Sequence, residues 1–282
     1  MGYQNRAWTE EKVERLLKQG RGSGIGKDYR PFIEITDLSS TGLSRRTFSN
    51  KTGRVHHLLS DVEWQFFLML QWSTDIIDIR EQFPLDREIT RDVAMNLGIA
   101  HPCYPGTHTP TVMTVDFLVT RVINSVKILE AYDIKRTEAA EDIRTLDKLE
   151  ISRETCSLLG TAHHLIYHSM LPHAKIRNIE WIIGGQYVEG EKEPYSGYTE
   201  EHCSRLLSAM TNASKKSILS TFCSQYDERC GLQAGSALRF ARMLMHERAL
   251  IAPLESNDLA STPMAEFTVV ARSGQLRAVG GM

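Results

Sequence analysis

The 282-residue sequence predicts a mixed α/β fold, followed by a smaller helical region that closes on a β-hairpin. Three observations carry that expectation. Runs rich in β-branched and aromatic residues at 75–83, 112–122, 125–136 and 162–168 are interleaved with segments of helical periodicity. The stretch VEGEKEPYSGY, 188–198, has no apolar periodicity and reads as a linker. Beyond it, three helical patterns lead into two short extended segments, the outline of a winged-helix-like domain. The expected domains are therefore 1–187 and 199–282, joined by 188–198.

Taken in order, Thr9 is placed to cap a helix over EEKVERLLKQG, with Val13, Leu16 and Leu17 as its apolar stripe and Gly20 as its stop. GRGSGIGKDYRP follows. It is glycine-rich and basic, but Asp28 stands where a phosphate-binding loop needs Ser or Thr after the lysine, and no apolar strand precedes it. Nucleotide binding is rejected, and a flexible basic loop along a DNA backbone is expected instead. Residues 31–36 and 43–50 read as extended. Ser60 opens a capping box with Glu63, and Val62, Phe66, Phe67, Met69 and Leu70 form the buried face of the helix that follows. DIIDIREQF reads as a strand, 86–97 as a helix closed by Gly98, and 112–122 with 125–136 as a hairpin turning at Ile123-Asn124. Helices are expected at 138–158 and 174–185, then at 199–210, 214–226 and from 234 onward. A last strand is expected at EFTVVAR.

Composition narrows the class. With 41% apolar and 24% charged residues the chain is an ordinary globular one, and no run of eighteen apolar residues predicts a membrane span. The N-terminus lacks the apolar core of a secretory signal, and the five cysteines form no C-x-x-C pair. A cytoplasmic protein with reduced thiols is expected. Net charge is only −2, yet residues 1–60 hold eleven Lys/Arg against six Asp/Glu, a local excess of five positive charges suited to phosphate.

Chemistry concentrates at two strands. Asp116 interrupts the apolar run VDFLV, and an unpaired buried carboxylate is expensive. The neighbouring run carries Asp133-x-Lys135, two residues that share one strand face. Such a pair is either a cross-strand salt bridge or half of a metal-dependent phosphodiesterase site, in which carboxylates hold magnesium and a lysine offsets charge. Glu63 supplies a third carboxylate from the capped helix. The histidines at 56, 57, 101, 163, 164, 168 and 173 form no H-E-x-x-H pattern and read as core or surface residues.

The blocks GRGSGIGKDY, NKTGRVHHLLSDVE, DIREQFPL, TVDFLV, YDIK and RTLDKLE resemble, in that order and across residues 8–183, the TnsA family of endonuclease subunits from heteromeric bacterial transposons. The resemblance implies a restriction-endonuclease-like mixed sheet flanked by helices. It also implies Mg²⁺-dependent cutting on the 5′ side of each transposon end, with one or two ions and with Mn²⁺ as a substitute. The implied partners are transposon-end DNA, a TnsB-type transposase and a TnsC-type ATPase met largely through the C-terminal domain, with action on the nucleoid. Carried over, the catalytic set is Glu63, Asp116 and Lys135, with Asp133 and the Ile134 backbone carbonyl as further metal ligands and Glu150 as an accessory acid. Well-known members have glutamine where this chain has Asp133. DNA contacts are expected from Arg21, Lys27, Arg45, Arg46, Lys51 and Arg54, and from Arg239, Arg242 and Arg248 of the last helix. The competing reading is a catalytically silent DNA-binding scaffold that recruits the ATPase.

Overall fold

The structure is a computed structural model that describes residues 8–37, 43–188 and 190–270. It divides into two compact units, Met1–Leu171 and Pro172–Met282.

In the first unit, α1 (Glu10–Lys18) starts where Thr9 accepts the Lys12 N–H, and it buries Val13 and Leu16 beside Trp8, Phe32, Tyr104 and Val112. The glycine-rich segment after it is not a free arm. A Cβ on Gly22 would stand 2.2 Å from Pro84 Cγ, and one on Gly24 would stand 2.3 Å from the Asp28 carbonyl oxygen. The glycines are there because backbone packs against its neighbours at less than side-chain distance. Residues 31–36 are not a strand either. Asp37 accepts the Glu34 N–H and the Arg21 guanidinium, and these side-chain bonds hold a short 3₁₀ turn at Ile35–Asp37.

Strands β1 (Arg45–Ser49) and β2 (Arg54–Leu58) form an antiparallel ribbon, of which β2 was not foreseen. Helix α2 (Asp61–Trp72) follows, then β3 (Ile76–Pro84) and α3 (Arg87–Leu97), which is capped by Asp86 and closed by Gly98 at φ +69°. Strands β4 (Thr114–Ile123) and β5 (Val126–Lys135) pair antiparallel through a turn at Asn124-Ser125, one residue later than expected. Both turn residues have positive φ, 49° and 66°, the mirror-type turn that matches strand twist. Helix α4 (Ile143–Leu158) begins at an Asp142 cap, after a 3₁₀ turn at Thr137–Glu141, and returns the chain to β6 (Ala162–Tyr167). The central sheet has the order β3-β4-β5-β6, with the last pair parallel. Mixed sheet and flanking helices match the expected α/β class.

The second unit begins sixteen residues before the expected boundary, and 188–198 lies inside it rather than between domains. It contains α5 (His173–Ile183), α6 (Tyr198–Thr211), α7 (Leu219–Cys230), α8 (Ser236–His246) and a ribbon of β7 (Leu250–Ile251) with β8 (Thr268–Val269). The reason is packing. Cβ atoms on Gly184 and Gly185 would strike Arg242, and Arg239 binds Glu191 of the supposed linker. Helix α7 starts at Leu219 because Ser217 and Leu219 are bonded into the 262–264 segment. Buried Asp227 accepts the Gly235 and Ala237 N–H groups and so caps α8. Residues 271–272 of the expected last strand lie outside the described residues. Among the described residues, no helix is long and apolar enough to cross a membrane.

Several cations expected at DNA are used inside the protein. Arg21 is buried against Asp37 at 2.8 Å and Glu34 at 3.2 Å. Arg54 is buried too: it donates to both Glu81 oxygens at 2.8 and 2.5 Å and to the Ile79 carbonyl at 2.7 Å. His56 and the His57 N–H also donate to Glu81, and Thr52 meets the other His56 nitrogen at 2.7 Å. Burial opposes ionisation of Glu81, but Arg54 and His56 outweigh it and bring the carboxyl down to about 2. Lys51 donates to the Leu70 and Ser73 carbonyls and caps the end of α2. In the second unit Arg242 donates to the Trp181 carbonyl and lies over that indole, while Arg248 sits past α8 at φ +62°. A surface-cation pattern in sequence does not say which arginines have an acid or a carbonyl folded onto them. Arg54→Ala is therefore expected to act on folding and not on DNA. Stranding the Glu81 charge should lower unfolding free energy by about 3–5 kcal/mol, read as a fall in the urea midpoint of the intact chain.

Candidate active site

The β4–β5 ladder ends at the pair Phe117↔Tyr132. One residue further, the Asp116 carboxylate takes the place of a ladder partner and accepts the Ile134 N–H at 2.7 Å. Asp133 and Lys135 share one face of β5, and the Lys135 ammonium spans the acids, 2.8 Å from Asp116 Oδ2 and 3.3 Å from Asp133 Oδ1. The pair that sequence left open as salt bridge or half-site is thus a three-residue cluster at a strand end.

Glu63 comes from the first turn of α2. Its amide donates to Ser60 Oγ at 3.2 Å, while its carboxylate accepts the Leu59 N–H at 2.9 Å and the Ser60 hydroxyl at 3.1 Å. The expected capping box is present, with its return bond made to Leu59. Phe66 and Phe67 pack on Phe117, with ring centroids 6.0 and 6.4 Å apart, and so seat the helix on β4. Glu63, Asp116 and Asp133 are all buried, whereas the Lys135 side chain keeps 26% of its surface open.

Electrostatics separate the acids. Burial drives Glu63 up to about 8, with repulsion from Asp116 adding to it and the Leu59 and Ser60 hydrogen bonds opposing it. Burial also raises Asp116, helped by Asp133 and resisted by Lys135. Asp133 moves the other way, because Lys135 and His163 together outweigh its burial. Burial disfavours the Lys135 charge, but both aspartates hold it above the ordinary lysine range. Lys135 is therefore held in its charged form between the two aspartates, with about a quarter of its side chain open (26%).

The other expected residues divide. Ile134 reaches the cluster through its N–H. Glu150 does not join it: Arg153 of the same helix binds it at 2.8 and 2.7 Å. Lys27, Arg45 and Arg46 are exposed, Arg45 lying 4.7 Å over the Trp64 ring. The residue sequence reading missed is His163, whose Nε2 lies 2.8 Å from Asp133 Oδ2. The parallel β5–β6 register aligns Ala131 with His163, placing it on the Asp133 face, while His164 stacks on Tyr132 at 4.9 Å. A His-His pair in a strand announces that one member faces each side, but not which strand it will meet.

Among the described residues, no three His, Cys, Asp or Glu side chains already converge as an ion cage. The donor chemistry nevertheless fits a hard divalent cation: Glu63, Asp116 and Asp133 are buried and offer only oxygen, the donor such ions take.

A buried, oxygen-only acid cluster with a clamped lysine at the end of a mixed sheet is the kind of constellation that a hydrolytic enzyme acting on an anionic substrate uses. Residues 73–168 match the family described as TnsA-like endonuclease N terminal, and residues 171–254 match TnsA endonuclease C terminal. Transposon Tn7 transposition protein TnsA of Escherichia coli is 35% identical over 251 residues, covering 86% of each chain. The chain belongs to the TnsA endonuclease family and is a nuclease.

The pKa of Glu63 gives a pH test. Between about 4.5 and 8 the folded protein holds a proton that the unfolded chain has released, so stability falls as pH rises through that window. Metal-free protein should lose thermal midpoint steadily from pH 5 to pH 8, and Glu63→Gln should flatten that slope in a pH series of melting curves.

Proposed function

We propose that this nuclease hydrolyses the 5′-side phosphodiester at each end of a bacterial transposon, using Mg²⁺ or Mn²⁺, in a complex with a TnsB-type transposase and a TnsC-type ATPase. The observation that carries the reading is Lys135 spanning Asp116 and Asp133 beneath the Glu63 helix. Family membership and the similarity to the Tn7 transposition protein of E. coli support the transposon substrate.

Glu63, Asp116 and Asp133, with the Ile134 carbonyl, would hold one or two ions, in the manner of a PD-(D/E)xK nuclease. When bound, such an ion acts as a Lewis acid on phosphoryl oxygens and lowers the pKa of bound water. Lys135, permanently charged, stabilises the negative charge that builds on the phosphate. Asp116 fixes Lys135 and the strand end at once through one oxygen. The silent-scaffold alternative leaves unexplained why three buried carboxylates, one raised to about 8, are kept at the cost they impose on folding.

DNA is expected along the outer face of the β1–β2 ribbon. No Asp or Glu occurs between Asp37 and Asp61, and Lys27, Arg45 and Arg46 remain exposed there. The second unit, winged-helix-like by its helix-and-ribbon order, is assigned to further DNA and ATPase contacts. The protein would work in the bacterial cytoplasm, on the nucleoid.

Two outcomes test the proposal. Asp116→Ala and Lys135→Ala should each lower 5′-strand nicking of end-labelled DNA by about 10²-fold or more while 3′ joining by the partner transposase continues; full nicking by folded Asp116→Ala protein would sink the assignment. Arg46→Ala should reduce the slope of log affinity against log salt by about 0.9, and an unchanged slope would remove the ribbon from the DNA path.

A further inference from the structure

We propose that His163 is a positioning residue of the nuclease centre, holding the Asp133 carboxylate in the orientation that lets it share Lys135 with Asp116. The inference rests on the nuclease reading and adds to it a residue from a third strand.

The two oxygens of Asp133 are divided between two partners: Oδ1 faces Lys135 Nζ at 3.3 Å, and Oδ2 faces His163 Nε2 at 2.8 Å. A carboxylate tied at both oxygens has no freedom about its last torsion. A carboxylate tied only to a lysine, whose stem is flexible, keeps that freedom. An ionised carboxylate only accepts, so Nε2 is the donor. Both side chains are buried, each with 4% of its surface exposed, so no water competes for the bond. The geometry is set by the fold: β6 runs parallel to β5 with Ala131 opposite His163 and Asp133 opposite Leu165, so the ring reaches forward one step along the same face.

A histidine buried only for packing would make no bond to the site, whereas His163 Nε2 lies 2.8 Å from Asp133 Oδ2. His163 also lines a groove of about 360 Å³ together with Ile99, Ile143, Leu146, Glu150 and Arg153. Truncating the ring therefore opens onto an existing groove and does not hollow the core, which makes the substitution informative. His164, next in sequence, has the packing role against Tyr132 on the opposite face.

The test uses the full chain with cognate transposon ends and the partner transposition proteins. It measures single-turnover 5′ nicking at saturating DNA, the DNA concentration at half-maximal rate, and Mn²⁺ binding to DNA-free protein by calorimetry. His163→Ala and His163→Asn should lower the nicking rate by about 10- to 100-fold and weaken Mn²⁺ binding to a similar degree, with the half-maximal DNA concentration unchanged. His163→Gln, whose amide nitrogen reaches the place of Nε2, should stay within about 3-fold of the parent, as conservative rescue of one hydrogen bond requires. Equal damage in the Gln and Asn variants, or parental nicking and Mn²⁺ affinity in His163→Ala, would overturn the inference; the Gln–Asn comparison decides the matter even if the Ala variant does not fold. Inactive Asp116→Ala beside fully active His163→Ala would leave the nuclease reading standing and remove only His163. Full nicking by Asp116→Ala would overturn both.

Discussion

One carboxylate oxygen ties the sheet to the chemistry. Asp116 Oδ2 accepts the Ile134 N–H at 2.7 Å and the Lys135 ammonium at 2.8 Å. The first bond replaces a ladder contact just where β4 and β5 stop pairing, while on its other edge β5 still pairs with β6, Ile134 opposite Ile166. The second aims Lys135 out of the strand toward solvent. Since Asp133 and Lys135 share a face by strand periodicity, fixing one backbone amide of β5 fixes both. The aromatic contacts of Phe66 and Phe67 with Phe117, the residue beside Asp116, then set where the Glu63 helix can sit. Geometry at this one aspartate thus propagates into every element that carries a site residue.

The same unit contains two buried charged clusters with opposite electrostatic outcomes. Around Glu81, Arg54, His56 and the His57 amide satisfy the carboxylate, and its pKa falls to about 2. Around Glu63 and Asp116 burial wins, with Asp116 repelling Glu63 and Asp133 repelling Asp116, and both are raised. The first arrangement fastens the β1–β2 ribbon to the sheet. The second leaves carboxyls whose ionisation burial opposes beside a partly open lysine, the kind of perturbed group that marks a candidate site. The satisfied cluster on β3 and the perturbed one at the β4–β5 end are thus separate places in the unit.

Much of this could be read from the sequence, for reasons that are local. Strands β3 to β6 and the helices between them follow from residue periodicity, and the Ser60–Glu63 cap from a four-residue pattern. Asp116 stood out because it interrupts an apolar run. What escaped depends on partners distant in the chain. Strand β2, RVHHL, is polar because its inner face, Arg54 and His56, is committed to Glu81, which hides it from any apolar alternation. Arg21, Lys51 and Arg54 look like solvent cations until Asp37, the Leu70 carbonyl and Glu81 fold onto them. His163 is recognisable only once the parallel register of β6 on β5 is known. The unit boundary moved to Leu171/Pro172 because α5 packs on Arg242 and α8, a contact about sixty residues away in sequence that no local composition shift announces.

The central claim is that this acid–lysine centre cuts DNA with the help of divalent ions. The most direct measurement is strand-resolved cleavage of cognate transposon ends, labelled separately at each strand, by the intact protein with its partner transposase and ATPase in Mg²⁺, Mn²⁺ or EDTA. The account predicts a 5′-side cut in Mg²⁺ and in Mn²⁺ and none in EDTA. A 5′-side product that persists in EDTA, or one that forms equally well without this chain, would contradict it.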